Sequence, residues 1–533
     1  MGNSKKDIAS QVEQRAAELL PPADRPEIDR SFVKDCLDLN ERGDGILFAA
    51  LHRDDFLHNV TPKNGGEWYV WGDNVWVRDD FSRRIEAVED VAIEYKINAD
   101  PLENEIIEQG IDKEHPDSWK IHLLKKYKRR LTRLRSLDGA NKAVKFAPIV
   151  ETSMACRESD FDQQPWLLPV KNGVIDLQTG VLTAGRPDDL MRRSLNIEYD
   201  PHADYSLWEQ VLRDITGSDN SIPEFIKRSF GYAMTGWSYE QYIWLFIGPG
   251  RNGKGILFNM ISEVLGPFFH TINPAMLLEQ RNPPSPAAAS EHLFSLLGKR
   301  LIVGSETNKG KRIDMAAVKE LTGEDEINCR PNFSSEITFY PSHTLMLRSN
   351  AIPYGMTSDF AMKERLLLID FPYRFVDDVA KHQKEDPRHA EFYRKKDKHL
   401  KDKLREIKPG ILRWLVEGCL EWQQDGLSPP AAVLEAVKKL SLEEDYITAF
   451  IESCLVTDDA TIRLACKEMY RAFCWWWSEN EGRSKRMPAM KTINKGLRER
   501  GFEVAPKSGK TWVFGCRINE KVAEDVAAFN LPV

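Results

Sequence analysis

Short apolar runs divided by amphipathic helical patterns dominate the middle of the chain. The runs lie at residues 241–247, 301–303, 344–347 and 366–369. A continuous apolar run of this length is typical of a strand buried on both faces, as the strands of parallel sheets are. Because helical patterns separate several of the runs, residues from about 237 to 375 are predicted to form an α/β unit around a parallel sheet.

A different pattern precedes this unit. Apolar and aromatic residues at 67–71 and 75–78 flank a Gly-Asp-Asn turn, which indicates a β-hairpin. A long helical stretch is predicted over residues 84–143, and a second strand-and-turn region over residues 166–181. Residues 206–236 are predicted to form two helical pieces. The first part of the chain is therefore predicted to mix helices with small antiparallel sheets.

The end of the chain is predicted to be helical and then to form a hairpin. Helical patterns lie near residues 431–455, 463–480 and 491–500. They are followed by a hairpin pattern over residues 502–514, with its turn at 507–510. A helix followed by a β-wing is the outline of a winged helix, a variant of the helix-turn-helix.

Composition indicates a globular chain without a membrane segment or a metal-binding cysteine motif. The chain has 533 residues, 42% of them hydrophobic and 29% charged, which predicts roughly two to four domains. It has no run of about 18 apolar residues and no signal-peptide core, so a cytoplasmic location is expected. The eight cysteines are scattered without a C-x-x-C pair. This argues against a zinc ribbon and a disulfide framework and fits a reducing compartment.

Charge is distributed unevenly around a net value of −8, which does not indicate a nucleic-acid binder by itself. Residues 125–135, 394–403 and 483–491 form basic clusters. The sequence leaves open whether these clusters bind DNA or are solvated helix faces. Three consecutive tryptophans at 475–477 likewise admit two interpretations, a stacking platform for bases and the buried face of a helix. Helical amphipathicity favours the buried face.

A glycine-rich loop follows the first apolar run. Gly248, Gly253 and Lys254 satisfy the pattern G-x-x-x-x-G-K. Glycines let the backbone turn so that successive N–H groups point at phosphate oxygens, and the dipole of the following helix adds to the attraction. Lys254 would reach the β- and γ-phosphates. The loop is therefore predicted to bind ATP through Gly248, Pro249, Gly250, Arg251, Asn252, Gly253, Lys254 and Gly255.

One position of this loop departs from the usual pattern. Gly255 stands where a serine or threonine ordinarily follows the lysine. The hydroxyl that would bind Mg²⁺ is therefore missing. Because Mg²⁺ is expected to accompany ATP, water or another side chain must complete its coordination shell.

Taken in order along the chain, these motifs resemble a known family. The chain is similar to the superfamily-three helicase domain of phage and plasmid primase-helicases, a group that includes the poxvirus-type proteins. The similarity lies at residues 248–255, Glu306, residues 319–330, Asn350 and Arg365. Residues 172–180 resemble the N-terminal accessory domain of that family. The resemblance implies an α/β fold with an AAA+-like P-loop ATPase core and a parallel sheet, flanked by an α+β N-terminal domain and a C-terminal winged-helix-like domain.

The patterns and the resemblance together predict four regions. They are an N-terminal accessory α+β domain (1–200), a helical collar (201–236), a superfamily-three helicase or ATPase domain (237–430) and a C-terminal winged-helix-like domain (431–533).

The resemblance also implies a role for each matched side chain. Glu306, just after the Walker B-like strand, would polarise water and help to hold Mg²⁺. Asn350 would hold the attacking water or the γ-phosphate, and Arg365 would stabilise transition-state charge in the site of a neighbouring subunit. Lys319 and Arg330 would contact DNA phosphates. The expected catalytic set is therefore Lys254, Glu306, Asn350 and Arg365.

The function implied by the resemblance is an ATP-dependent DNA helicase for the replication of a phage or mobile element. It would assemble as a homo-oligomeric ring, a hexamer in the family, and translocate on single-stranded DNA at forked substrates, in the host cytoplasm if the chain is phage-encoded. The N-terminal third shows no primase motif, so a separate primase is a candidate partner. The alternative from another class is a DNA-binding replication initiator or loader that uses ATP for assembly rather than unwinding.

Overall fold

A computed structural model describes most of the chain. The described residues are 28–62, 65–150, 154–217, 220–278, 290–305, 313–330, 336–350, 352–353, 356–357, 360–444, 446–457, 462–480, 487–500, 502–507 and 509–529. Glu306 falls in the gap between 305 and 313, outside the described residues. Within the described residues, no helix is long and apolar enough to cross a membrane.

Helices and a small mixed sheet form the first part of the protein. The helices are α1 (Arg30–Asp38), α2 (Glu41–His52), α3 (Arg83–Glu86), α4 (Val88–Glu108), α5 (Trp119–Leu134) and α6 (Leu137–Phe146). The strands are β1 (Phe56–Asn59), β2 (Glu67–Gly72), β3 (Val75–Arg78) and β4 (Ala155–Cys156), in the order β3-β2-β1-β4. The predicted hairpin is confirmed, since Trp71 lies opposite Trp76 across β2 and β3.

The long predicted helical stretch is interrupted, which corrects the sequence-based expectation. Helix α4 ends before Gly110, which has a φ of +61°, a left-handed conformation that glycine adopts at little cost. The next helix, α5, begins only at Trp119. Helices α1, α2 and α4 to α6 pack around a buried core that includes Phe48, Val91 and Ala143.

A second small sheet and two helices lead to the centre of the protein. Strands β5 (Leu167–Val170), β6 (Gly173–Asp176) and β7 (Val181–Thr183) form an antiparallel sheet, as the turn signals predicted. Helices α7 (Ser206–Thr216) and α8 (Ser221–Ala233) confirm the two predicted helical pieces. The α+β character expected of the N-terminal region is therefore present.

A parallel sheet forms the centre of the protein. The strands of this region are β8 (Ile243–Ile247), β9 (Phe269–Ile272), β10 (Leu301–Ser305), β11 (Ile327–Cys329), β12 (Ile337–Phe339), β13 (Thr344–Arg348) and β14 (Leu366–Asp370). Five of them form the central sheet in the order β14-β8-β13-β10-β9, and every described pair in it is parallel. Strands β11 and β12 pair separately as an antiparallel hairpin. The helices are α9 (Lys254–Leu265), α10 (Glu291–Phe294), α11 (Met315–Thr322) and α12 (Phe360–Arg365).

Both faces of the central sheet are covered, which explains the continuous apolar runs. Because side chains alternate along a strand, Trp244 and Phe246 point to one face and Ile243 and Leu245 to the other. The first face belongs to a core shared with α7, α8 and α9. The second belongs to a core that includes Val318 of α11. The prediction of a mixed α/β protein with a parallel sheet is confirmed.

Further helices follow the sheet and cover its first face. The elements are β15 (Arg374–Val376), α13 (Val379–Glu385), β16 (Tyr393–Lys395), α14 (Leu400–Glu406), α15 (Lys408–Asp425) and α16 (Ala431–Glu444). One core contains buried side chains from Leu168 of β5 to Val433 of α16. The predicted domain boundaries at 200, 236 and 430 stay predictions.

The last part of the protein has its own core. Its elements are α17 (Tyr446–Cys454), β17 (Leu455–Val456), β18 (Arg463–Ala465), α18 (Cys466–Asn480), α19 (Met490–Glu499), β19 (Val504–Lys507), β20 (Lys510–Phe514), β21 (Arg517–Ile518) and α20 (Glu520–Ala528). Strands β19 and β20 form the predicted hairpin, with Lys507 opposite Lys510. Trp476 and Trp477 are buried in this core, as helical amphipathicity indicated, and Trp475 packs against it.

Candidate active site

The glycine-rich loop connects the end of β8 to the start of α9. Gly248 and Gly253 have φ angles of +139° and +91°, which side chains rarely adopt. A Cβ at Gly253 would also lie 2.3 Å from Ile215 Cγ2, and one at Gly248 would lie 2.3 Å from the Phe371 carbonyl oxygen. Gly250, by contrast, has no heavy atom within 4 Å of an added Cβ. The loop therefore requires glycine at positions 248 and 253, where it packs against other residues, and has open space at position 250.

The segment that follows β14 holds this loop in place. Asn252 Nδ2 donates a hydrogen bond to the Phe371 carbonyl oxygen at 3.3 Å, and Asn252 Oδ1 accepts one from the Lys254 backbone N–H at 3.3 Å. The Phe375 backbone N–H donates to the Arg251 carbonyl oxygen at 2.8 Å. Asn252 is buried, so its amide fixes the loop from inside. The loop is thus positioned by the segment from Phe371 to Phe375.

Lys254 is the buried charge of the site. Its side chain is at the start of α9 in a residue only 6% exposed, and Nζ donates to the Gly248 carbonyl oxygen at 2.6 Å and to Asn350 Oδ1 at 3.4 Å. Burial lowers the pKa of Lys254 to about 8, against the opposing effect of Asp370 and together with a smaller effect of Arg348. A buried ammonium whose hydrogen-bond acceptors are neutral oxygens is suited to bind an anion.

Asp370 and Arg348 belong to the same edge of the sheet, although sequence reasoning did not single them out. Asp370 ends β14 opposite Ile247, and Arg348 ends β13 opposite Phe246. Because the strands are parallel, their carboxyl ends meet at one edge, where open α/β sheets bind ligands. Burial raises the pKa of Asp370, while the Phe371 N–H and Lys254 oppose the increase. The sequence signal that could have identified Asp370 and Arg348 is a charged residue directly after an apolar run.

The predicted Mg²⁺ ligand cannot be placed. Glu306 lies outside the described residues, and its role as catalytic residue and metal ligand stays a prediction. Ser305, which precedes it, ends β10 opposite Arg348. Asp370 supplies a carboxylate oxygen at this edge, the kind of ligand Mg²⁺ prefers. The residues present therefore fit a Mg²⁺ ion held by one carboxylate, water and phosphate oxygens.

Of the predicted DNA-binding residues, Arg330 lies between β11 and β12 and Lys319 lies before the β11–β12 hairpin. Arg330 follows β11 directly and is exposed. Its backbone N–H donates to Ser290 Oγ at 2.9 Å, and its carbonyl oxygen accepts from the Ser290 N–H at 2.9 Å. Lys319 lies on α11, which precedes the hairpin. The segment therefore contains a helix and the first strand of a hairpin, while DNA contact by Lys319 and Arg330 stays a prediction.

Arg365 lies at the opposite edge of the sheet from Lys254. It ends α12 and precedes β14, whose first residue, Leu366, pairs with Ile243 at the start of β8. Four residue steps along the strand, roughly 13 Å, separate this edge from the glycine-rich loop. The structure therefore does not bring Arg365 to the loop of its own chain. A role in the site of another subunit, as the resemblance implies, stays a prediction.

Acidic partners neutralise most of the strongest basic cluster. Within residues 125–135, Arg130 pairs with Asp44 at 3.2 Å, and further pairs join Lys126 to Asp38, Lys128 to Glu103, Arg133 to Glu41 and Arg135 to Glu89. This arrangement favours a solvated helix face with structural ion pairs over a DNA-binding surface. In the cluster at 394–403, Lys403 also pairs with an acid, Asp397. Residues 483–486 of the third cluster lie outside the described residues.

The fold and the loop define a class, that of α/β proteins with a glycine-rich loop at the carboxyl edge of a parallel sheet. Comparison with known proteins narrows this class. Residues 45–217 match the family model "D5 N terminal like", and residues 246–365 match the "Family of unknown function (DUF5906)".

Viral proteins are among the relatives. The chain is 25% identical over 331 residues to a protein of Acanthamoeba polyphaga mimivirus named "Putative helicase", over 60% of this chain and 34% of that protein. A frog virus 3 protein of the same name is 26% identical over 269 residues, covering 49% and 27%. A protein of African swine fever virus named "Putative primase" is 23% identical over 380 residues, covering 67% and 37%. The matches therefore span about a third of these relatives. These matches confirm the resemblance to the primase-helicase family.

A solved structure titled "The A form apo structure of NrS-1 C terminal region-CTR" also aligns with the protein. The alignment covers 88% of this chain and 98% of that chain at 11% identity, with a TM-score of 0.41. This score is too low to support a conclusion about the fold.

Proposed function

We propose that the protein is an ATP-dependent DNA helicase acting in the replication of a virus or mobile element. The observation that carries the proposal is the position of Lys254, buried at the start of α9 behind a glycine-rich loop and bonded to Asn350 of the adjacent strand end. The relatives named as helicases and primases support a role in replication. Their names do not decide between the two activities.

The site fits the phosphates of ATP. The loop N–H groups and the positive end of α9 would surround the β- and γ-phosphates, and Lys254 would exchange the Gly248 carbonyl oxygen for a phosphate oxygen. Asn350 would orient the attacking water, whose oxygen bonds to the γ-phosphorus as the bond to the ADP oxygen breaks. Bound Mg²⁺ would neutralise phosphate charge, with Asp370 and Glu306 as the protein ligands that we expect.

The fold supports an AAA+-like P-loop core. The loop-bearing strand β8 lies between β14 and β13, so the chain leaves it in one direction toward β9 and returns later on its other side. Ligands bind at such a switch point in open α/β sheets. At the other end of the chain, α17, α18 and α19 with the sheet β18-β20-β19 have the element order of a winged helix. We assign this region the winged-helix-like role, as a DNA-binding domain.

The position of Arg365 supports ring assembly. This side chain lies across the sheet from its own Lys254, so it can stabilise the transition state only in a neighbouring subunit. We propose a homo-oligomeric ring, a hexamer as in the family, with single-stranded DNA in its centre and the β11–β12 hairpins facing the strand. Lys319 and Arg330 would contact its phosphates. Forked DNA is the substrate, a separate primase the proposed partner, and the host cytoplasm the proposed location.

Two assays test this function. Wild-type protein with ATP and Mg²⁺ should hydrolyse ATP faster when single-stranded DNA is present and should displace a strand from a forked duplex. Lys254→Ala and Glu306→Gln should strongly lower both activities. Lys142→Ala removes an exposed lysine that pairs with Asp138 on α6, and it serves as the control for loss of a positive charge. Absence of hydrolysis in the wild type would exclude the proposed enzyme. Hydrolysis without displacement would favour the loader.

A further inference from the structure

Arg365 is held by two side chains from different elements. Its Nη1 donates to Thr322 Oγ1 at 3.1 Å, and its Nη2 donates to Gln241 Oε1 at 3.0 Å. Thr322 ends α11, whereas Gln241 lies just before β8. The guanidinium therefore joins the start of β14 to both of these elements at the amino edge of the sheet.

Gln241 continues this chain of hydrogen bonds. Its Nε2 donates to Glu324 Oε1 at 3.1 Å, so both ends of the amide are used. Thr322 Oγ1 donates to the Val318 carbonyl oxygen at 2.8 Å and is thereby oriented to accept from Arg365. The amide of Gln241 cannot be flipped without placing its NH₂ against the Arg365 guanidinium. The network consequently has one arrangement of donors and acceptors.

The backbone of Gln241 is strained. Its φ is +50°, in the left-handed region that a residue other than glycine, asparagine or aspartate rarely occupies. Such conformations cost free energy and are concentrated at ligand clamps and switch regions. A glycine would relieve the strain but would remove the amide that joins Arg365 to Glu324. Gln241 thus combines a strained backbone with a side chain that joins Arg365 to Glu324.

Glu324 connects the network to the hairpin. It lies between α11 and β11, only three residues before Ile327, the first residue of the hairpin. Glu324 and Tyr340, which follows β12, both line a cavity of about 520 Å³ together with Trp237 and Tyr239. The segment that enters the hairpin therefore borders free space, into which it can shift without displacing packed side chains.

We propose that Gln241 is a positioning residue that couples Arg365 to the β11–β12 hairpin. The inference rests on the proposed function, because it takes Arg365 to act on the ATP of a neighbouring subunit. Arginine has five N–H donors, and Thr322 and Gln241 use one each, which leaves donors for a phosphate. When Arg365 turns toward the neighbouring γ-phosphate, Gln241 transmits the movement to Glu324 and the hairpin. ATP binding in one subunit is thereby linked to the DNA-contacting element of the next.

An exchange of amide and carboxylate tests the coupling. Gln241→Glu keeps an acceptor for Arg365 but places a carboxylate against Glu324. The DNA stimulation of ATP hydrolysis, measured as the ratio of rates with and without single-stranded DNA, should fall roughly tenfold, as expected for the loss of a hydrogen bond to a charged group. The KM for ATP should stay within about twofold, since Gln241 does not reach the glycine-rich loop.

The rescue variant distinguishes coupling from a structural role. In Gln241→Glu combined with Glu324→Gln, the new amide donates to the new carboxylate, so the hydrogen bond returns with reversed polarity. We expect the stimulation ratio to recover to at least half of the wild-type value. A double variant no better than Gln241→Glu alone would overturn the proposal. Gln109→Glu, at an exposed glutamine on the edge of α4 that bonds Glu105, controls for the added charge.

Gln241→Gly controls for folding. It relieves the left-handed strain but also removes both side-chain hydrogen bonds, so the thermal midpoint should change little, while the stimulation ratio should fall as in Gln241→Glu. A wild-type ratio in Gln241→Gly would overturn the inference and leave the ATPase proposal intact. If wild-type protein hydrolyses no ATP under any condition, the proposed function fails first and the inference fails with it.

Discussion

Lys254 Nζ lies 3.4 Å from Asn350 Oδ1, although 96 residues separate the two positions in sequence. The parallel pairing of β8 with β13 creates this contact, because Lys254 follows the end of one strand and Asn350 the end of the other. The Lys254 ammonium, which can bind phosphate, and the Asn350 amide, which can bind water, are thereby placed together at the edge of the sheet.

The contact predicts that the two side chains act as a unit. Asn350→Ala should lower kcat for ATP hydrolysis on the order of a hundredfold, the usual effect of removing one polar group aimed at the transition state. Lys254→Ala should lower it further, and the double variant should lose less than the product of the single effects. Steady-state ATPase assays measure all three. Asn98→Ala on α4, whose amide bonds the Glu94 carbonyl oxygen, is the control, and multiplicative losses would contradict the prediction.

Nucleotide affinity should depend on pH through Lys254. Because the pKa of Lys254 is lowered to about 8, its charged fraction falls as pH rises above that value. ATP affinity should therefore change little below about pH 7, one unit below the pKa. It should weaken by up to about tenfold per pH unit above 8. Titration of a fluorescent ATP analogue measures the profile. Lys254→Ala should bind weakly with no such inflection.

Asp370 supplies an independent test of this assignment. Its carboxylate acts to raise the pKa of Lys254, so Asp370→Asn should move the inflection to lower pH. As pH rises above 8, ATP affinity should fall, whereas the contribution of Lys254 to folding stability should increase. Since the folded pKa lies below the unfolded value of 10.5, the unfolded state binds more protons between pH 8 and 10.5, and this group's contribution to stability rises with pH there. An inflection that stays in place in Asp370→Asn would show that the titrating group is not Lys254.

Two glycines of the loop should respond oppositely to a methyl group. Gly253→Ala forces a φ of +91° on alanine and places its Cβ against buried Ile215, so it should cost about 1–3 kcal/mol of stability and abolish ATP binding. Gly255→Ala meets no heavy atom within 4 Å and lies in α9, so it should stabilise by about 0.5–1 kcal/mol. Urea unfolding measures both changes. Equal effects would mean that the loop is positioned differently.

The open space at Gly255 also bears on Mg²⁺. Gly255→Ser would supply the hydroxyl that is usual at this position without a steric clash. If Mg²⁺ is held here by one carboxylate and water, the concentration of Mg²⁺ giving half-maximal hydrolysis should fall in the serine variant. Gly255→Ala, which adds a methyl group without an oxygen, should leave it unchanged.

Much of the central sheet could be predicted because four of its strands are continuous apolar runs. Strand β9 was missed, since its two apolar residues, Phe269 and Ile272, are separated by the polar His270 and Thr271. It also lies at the edge of the described sheet, next to β10. An edge strand has fewer neighbours to cover it and so carries a weaker apolar signal. The interruption between α4 and α5 was missed because one glycine in a helical pattern does not by itself end a helix.

The site could be predicted in part for a similar reason. Gly248, Gly253 and Lys254 are adjacent in sequence, and their pattern carries a mechanism. Asp370 and Arg348 become partners of Lys254 only through the strand order β14-β8-β13, and local sequence does not determine strand order. The bonds of Gln241 to Arg365 and Glu324 span 124 and 83 residues and have no sequence motif.

Arg130 and Arg129 should separate structure from DNA binding in the cluster at 125–135. Arg130 is buried and donates to Asp44 Oδ2 at 3.2 Å and to Asn40 Oδ1 at 2.7 Å. Arg130→Ala leaves the Asp44 carboxylate buried without its cation and should cost about 3–5 kcal/mol. Arg129 is exposed, and Arg129→Ala should change stability by less than about 0.5 kcal/mol.

The pH dependence of Arg130→Ala follows from Asp44. Burial raises the pKa of Asp44 to about 6, even though Arg130 and the Tyr95 hydroxyl act to lower it. The folded state therefore binds more protons than the unfolded state between about pH 4 and 6, so stability from this group falls as pH rises through that window. Without Arg130 the pKa rises further, because the opposing charge is lost. The cost of Arg130→Ala, measured by urea unfolding, should be smaller at pH 5 than at pH 7.5 (chosen on either side of the pKa near 6).

Fluorescence anisotropy with a single-stranded oligonucleotide should give an unchanged affinity for Arg129→Ala, and a weaker affinity with a reduced salt dependence would show that this face contacts phosphates.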